Sequence, residues 1–338
     1  MGIRNTKIWY DRRSRKLKNK KKKKGRKYVS SNFNSVYKED ENNQYEYVGE
    51  YRATAPKVFS FIDNLEETTA MFGKLLDAIK NGTYRKRFFF DASIVEEVTT
   101  DVVLYIIAVI RNIKINRLRQ YTFAGNIPQN NEAARVYNES GLYKYVRSKK
   151  QELPANNSKM QIASGKKTDG VLASQICKFV MEKFDIAQKN TQHIYKTIIE
   201  MMSNAVHHAY DNTREEIMYP CWYMYAEYSE NQIRLIFLDT GLGIATTVKK
   251  KYFFEQYIKK DSELIESAFM GEFRTETQKE HRGLGLPALK EYAEKGYFKS
   301  FLVLSGKGGY KYQGNGMFSR LDIENKIYGT IYVIDLEK

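Results

Sequence analysis

The sequence predicts an α/β protein, and three observations carry that expectation. From about Lys57 onward, short apolar runs alternate with amphipathic stretches of helical period. A polar segment with Pro, Gly and Ser, "KQELPANNSKMQIASGKKTDG", divides this pattern into two halves. The 42% hydrophobic and 14% aromatic content of the 338 residues belongs to a globular chain long enough for two domains.

Taken in order, "KVFSFI" reads as a strand and "NLEETTAMFGKLLDAIKNG" as an amphipathic helix closed by Gly82. "RKRFFFDAS" reads as a buried strand, and "TTDVVLYIIAVIRNIK" as a helix opened by Thr100 or Asp101. "RQYTFAGN" follows as a strand and "NNEAARVYNESGLYKYV" as one further helix. Strands separated by helices imply parallel pairing in this half. After the polar segment a helical pattern opens the second half. Four strands then follow, "PCWYMYAEYS", "QIRLIFLDT", "KSFLVLSG" and "KIYGTIYVIDL". The expected boundaries are a basic tail at 1–45, an α/β domain at 46–150, a linker at 151–170 and a second domain at 171–338.

Charge placement narrows the function. Of the net +16, residues 1–27 carry +13 (14 Lys or Arg against Asp11), which leaves +3 for the rest. The tail is therefore expected to be solvated and to make nonspecific, salt-sensitive polyanion contacts, with no pattern for sequence readout. Two cysteines outside any CxxC spacing suit a reducing, cytoplasmic setting and argue against structural zinc. The apolar run "VVLYIIAVI" is about half of what a membrane span requires, and no secretory signal is expected.

The candidate site begins with "EMMSNAVHHAY". Glu200, Asn204 and His207 or His208 are spaced to share one helix face, which either meets water or faces a ligand. Asp239 ends an apolar strand, where an acid is costly unless something pairs with it. Gly241 and Gly243 follow, allowing a tight turn and close approach to a ligand. "HRGLGLPALKEY" then sets Gly283 and Gly285 before a helix, whose unpaired N–H groups suit phosphate. Neither a Walker motif nor a strand-linked G-x-G-x-x-G is present.

This ordered set, E-x-x-x-N, D-x-G-x-G, G-L-G-L and a late Gly329–Thr330, resembles the GHKL ATPase superfamily over residues 170–338. Within it, "NAVHHAY" looks most like anti-sigma-factor kinases and sensor kinases. The resemblance implies a Bergerat-type α/β sandwich that binds ATP with Mg²⁺. It implies Asn204 as the metal ligand, Glu200 as general base, and Asp239 as acceptor for the adenine amino group with Thr330 in support. Gly283, Leu284, Gly285 and Leu286 would cradle the phosphates. The 245–282 stretch would form a lid whose Arg274, Lys279 and Arg282 reach phosphate, unless the first two are ordinary solvated charges. His207 falls in a slot where sensor kinases often place a basic residue, and His208 matches an anti-sigma-kinase histidine; a surface role for either stays open. His193 lacks the acidic neighbour of a phosphoacceptor.

Residues 57–147 resemble STAS-like domains more weakly, through "FFFDASIVEEVTTDVVLYIIAVI". There a phosphorylatable Ser or Thr would precede the helix; here Thr99 and Thr100 lie in that loop and Asp101 holds the usual acceptor place. Helix capping by Thr100 or Asp101 is the simpler reading. Together the resemblances imply an ATP-binding regulatory protein that hydrolyses ATP slowly and controls a protein partner, with a homodimer allowed. The alternatives are a Ser/Thr protein kinase and an ATP-driven nucleic-acid-associated module.

Overall fold

The computed structural model describes residues 35–39, 45–81, 86–113, 121–146, 157–208, 218–251, 259–273 and 285–338. The basic run at 1–27 and the expected stop at Gly82 lie outside them. The fold is mixed α/β, as the alternation of patterns predicts.

In the N-terminal half, strands β1 (Ser35–Glu39), β2 (Tyr45–Thr54), β4 (Lys86–Asp91) and β6 (Tyr121–Gly125) form a sheet in the order β1-β2-β4-β6. β2, β4 and β6 run parallel, and β1 is antiparallel to β2. The "KVFSFI" segment contributes only a two-residue strand, β3 (Val58–Phe59), which pairs in parallel with β5 (Glu97–Val98). Helix α1 (Leu65–Asn81) carries Glu66 and Glu67 in its first turn and Lys80 in its last, the polarity its macrodipole favours. The region read as one helix from 130 to 146 is two, α3 (Asn131–Glu139) and α4 (Leu142–Val146). They part at Gly141, whose φ of 85° no helix accommodates.

Helix α2 (Thr100–Asn112) is buried almost all round, from Thr100 through Val109 and again at Asn112. A helix apolar on every side needs cover on every side, and here both halves provide it. Thr99 is the N-cap and its side chain makes no cap hydrogen bond. The capping role expected of Thr100 or Asp101 is replaced by tertiary bonds. The Thr100 hydroxyl donates to Glu227 Oε1 at 2.7 Å, and Asp101 Oδ2 accepts the Phe61 N–H at 2.9 Å.

The second half is an antiparallel five-stranded sheet ordered β10-β11-β9-β8-β7. Its strands are β7 (Ala163–Gly165), β8 (Trp222–Ser229), β9 (Gln232–Asp239), β10 (Ser300–Tyr312) and β11 (Phe318–Glu337). Successive side chains face opposite ways. Trp222, Met224, Phe237, Tyr332 and Ile334 meet α5 (Gly170–Phe184), α6 (Gln192–His208), α8 (Asp261–Phe269) and α9 (Gly285–Glu294) in one core. Tyr223, Tyr225, Ile236, Leu238, Leu304 and Ile331 meet the N-terminal half in another. That second core contains Phe72, Leu75, Phe88, Leu104 and Tyr105, so the halves share their interior rather than hanging on a linker.

The expected linker is itself partly built in. Ala163–Gly165 pair with β8, and the Met160 N–H donates to the Ala226 carbonyl at 2.8 Å. The Lys167 carbonyl accepts the Trp222 indole N–H at 2.9 Å. Gly165 packs closely against that indole, where a Cβ would stand 2.4 Å from the ring. An edge strand needs backbone pairing more than apolar side chains, so composition conceals it.

Because one core spans both halves, unfolding is expected to be a single transition, with calorimetric and van't Hoff enthalpies in agreement. Ile331→Ala, at a site 1% exposed, should lower stability by about 3 kcal/mol while keeping one transition; two separate endotherms would contradict the shared core.

Candidate functional site

Helix α6 buries Ile194, Ile198, Met201, Met202 and Ala205, which fixes its rotation against the sheet. Glu200 and Asn204 are thereby left half-buried, four residues apart on the same face. The backbone of His207 and His208 completes α6; their side chains lie outside the described residues. His193, nearer the start of the helix, stacks on Tyr297 with ring centroids 4.4 Å apart, and burial pushes its imidazole down to about 4. It is a packed neutral ring.

Asp239 ends β9 on the helix-covered face of the sheet, two residues beyond Phe237. It is 8% exposed. Burial pushes its carboxyl up to about 6, against hydrogen bonds that favour the ionised form from Gly241 and Thr330. The Gly241 N–H donates to Oδ1 at 2.9 Å. Thr330 stands directly opposite in the β11 register.

The glycines around Asp239 mark close approaches. Gly329 has φ 90°, and a Cβ on it would stand 1.9 Å from the Asp239 carbonyl oxygen. Gly243 has φ 84°, and a Cβ there would stand 2.5 Å from Ser305 Oγ. Ser305, fully buried, is the junction sequence reasoning missed. Its hydroxyl donates to the Gly329 carbonyl at 3.0 Å and accepts the Ile244 N–H at 2.9 Å. The signal available was a hydroxyl at the end of the apolar run "FLVLS", directly before a glycine.

Glu200 and Gly285 are also brought together. A Cβ on Gly285 would stand 2.2 Å from Glu200 Cγ and 2.4 Å from Oε1, so the start of α9 lies against the α6 carboxylate. Tyr332 follows two residues beyond Thr330 on β11. It shares the Thr330 face of β11, is 3% exposed, and its hydroxyl is raised above its usual value by burial and then by the charges of Asp239 and Glu200. Leu286 is half-buried on the second residue of α9. Arg274, Lys279, Arg282, Gly283 and Leu284 lie outside the described residues.

Of the 245–282 stretch expected to form a lid, two pieces are packed helices, α7 (Ile244–Lys251) and α8. α8 buries Ile265 and Phe269 in the main core. Asp261 ties it to its surroundings, accepting Lys249 Nζ at 2.7 Å and the Lys307 N–H at 2.8 Å. Among the described residues no group of three His, Cys, Asp or Glu could hold a metal. A groove of about 540 Å³ lies between α5, the 3₁₀ turn Gln188–Thr191 and α6, lined by Cys177, Lys178, Gln192 and Tyr195; it contains none of the site residues above.

No family model matches the chain, and no curated protein matches it significantly. No helix among the described residues is long and apolar enough to cross a membrane.

The raised Asp239 carboxyl has a defined consequence for stability. Its folded value of about 6 exceeds the ordinary 3.8, so the native state holds a proton that the unfolded chain releases. The stability this group contributes is fully present below pH 3.8 and is lost as pH rises through about 6. Urea denaturation should show that the stability difference between wild type and Asp239→Asn shifts in the variant's favour across this window and is flat above it. A difference independent of pH would show that the carboxyl titrates normally.

Proposed function

We propose that residues 171–338 form a GHKL-type (Bergerat) site for magnesium and ATP, and that residues 46–150 are a STAS-like half regulated through it. The observation that carries this reading is the close approach of Gly285, at the start of α9, to Glu200 of α6, with Asp239 set opposite Thr330 where β9 and β11 end their pairing.

The chemistry of the donors fits such a ligand. An ionised carboxylate offers about four acceptor positions, and the Gly241 N–H takes one of them at Asp239. A further acceptor position suits the adenine amino group. The turns at Gly241 and Gly243 let a flat base approach the backbone. At the other end, Gly285 opens α9 beside Glu200, where backbone N–H groups favour phosphate. Asn204 would offer its amide oxygen to magnesium, which when bound offsets phosphate charge. Glu200 would accept the proton of the attacking water or hydroxyl.

The protein then works as a slow ATPase whose nucleotide state controls contacts with a protein partner. Residues 1–27 add salt-sensitive contact with polyanions.

Isothermal titration with Mg-ATP tests this. Asp239→Asn should weaken binding at least about tenfold without lowering the melting temperature at pH 8, since a buried charge is removed. Glu200→Ala should retain binding and lose about 10²-fold in phosphate release. Stable phosphate on the protein instead of free phosphate would assign kinase activity. Wild-type protein with no measurable Mg-ATP affinity would refute the reading.

A further inference from the structure

The side chain of Tyr105 carries the N-terminal half to the strand end beside Asp239. Tyr105 on α2 is fully buried, with its ring set edge-on to Phe61 at 5.5 Å and Phe72 at 4.7 Å. Its hydroxyl crosses to β11, accepts the Tyr328 N–H at 3.0 Å and donates to the Tyr328 carbonyl at 3.4 Å. One hydroxyl thus serves both backbone groups of one residue.

Those groups need it because of a break in the β10–β11 ladder. Ser305 pairs with Thr330, but the next pair is Gly306 with Ile327, so Tyr328 and Gly329 bulge out of the register. Pairing with β9 begins at Thr330 opposite Asp239 and does not reach them. A bulged residue leaves backbone groups that must find other partners. Gly329 places its carbonyl on Ser305 and Tyr328 places its groups on Tyr105. Only Gly329 separates the Tyr105 contact from Thr330, and it is wedged against the Asp239 carbonyl at φ 90°.

We propose that Tyr105 is a positioning residue for the nucleotide site, holding the Tyr328–Gly329 bulge so that Thr330 and Asp239 stay set for the base. This rests on the reading of Asp239 as the adenine acceptor. Phenylalanine would fill the same volume, so the hydroxyl is what carries the effect. By linkage, a ligand that fixes Thr330 also tightens the junction between the two halves.

The full chain is compared as wild type, Tyr105→Phe, Asp239→Asn and Tyr145→Phe. The last is a control, because the Tyr145 hydroxyl also reaches out of the N-terminal half, donating to the Ile162 carbonyl of the connecting segment at 3.0 Å, away from the bulge. Affinities for Mg-ATP and Mg-GTP are measured by titration, and amide exchange is followed over residues 326–332. Tyr105→Phe should weaken ATP about tenfold, narrow the preference for ATP over GTP, and speed exchange at Tyr328 and Thr330. Tyr145→Phe should change none of these. Wild-type ATP affinity and selectivity in Tyr105→Phe, with binding lost in Asp239→Asn, overturns the inference and leaves the nucleotide reading standing. Equal loss of ATP and GTP, or equal effects of the two tyrosine variants, would show general loosening and likewise overturn it. A wild type without ATP affinity removes both.

Discussion

The structure depends on the burial of both faces of the five-stranded sheet. Alternate residues of β8, β9, β10 and β11 point into two separate cores, one closed by α5, α6, α8 and α9 and the other by the N-terminal half. Neither half can bury its apolar surface alone. Helix α2 would expose Leu104, Tyr105 and Val109 without the sheet, and the sheet would expose Tyr223, Ile236, Leu304 and Ile331 without α2 and its neighbours. Burial of apolar surface contributes roughly 25 cal/mol per Å², so leaving either face wet would draw directly on a typical domain's net stability of about 5–15 kcal/mol.

That constraint brings polar groups into the seam, and several of them find partners across it. Thr100 meets Glu227, Asn112 meets the Tyr223 hydroxyl at 2.6 Å, and Tyr105 meets the Tyr328 backbone. The buried Asp101 takes the Phe61 N–H, and its carboxyl is raised by burial. Arg234 forms a two-point contact with Asp335 at 2.7 and 3.1 Å nearby. Such contacts specify register more than they add stability, since each exchanges hydration for one well-aligned bond. The candidate site inherits its geometry from this seam. Its strand ends are held by Ser305 and by the bulge at Tyr328, not by an isolated ladder.

Much of this was legible in the order of residues. The helices over Leu65–Asn81 and Thr100–Asn112 and the four long strands of the second half follow from period and turn residues. The expectation that Asp239 needs a partner follows from charge in an apolar strand. Other features were not legible because their causes are not local. Ala163–Gly165 became a strand through pairing with β8, despite a polar composition that reads as linker. Thr100 and Asp101 look like caps until Glu227 and the Phe61 N–H, distant in sequence, compete for them. His193 offers no clue in sequence that Tyr297 will stack on it.

The sequence by itself determined the α/β class and set an acid and an amide on one helix face and an aspartate at a strand end, because these rest on period, composition and spacing. Only the tertiary structure decided that the halves share one interior, that Gly285 lies on Glu200, and that a tyrosine of one half closes the bulge next to Thr330 of the other. The physical reason is range: periodicity is a property of neighbours along the chain, whereas a close approach between backbones is settled by what remains uncovered once every element has found its partner.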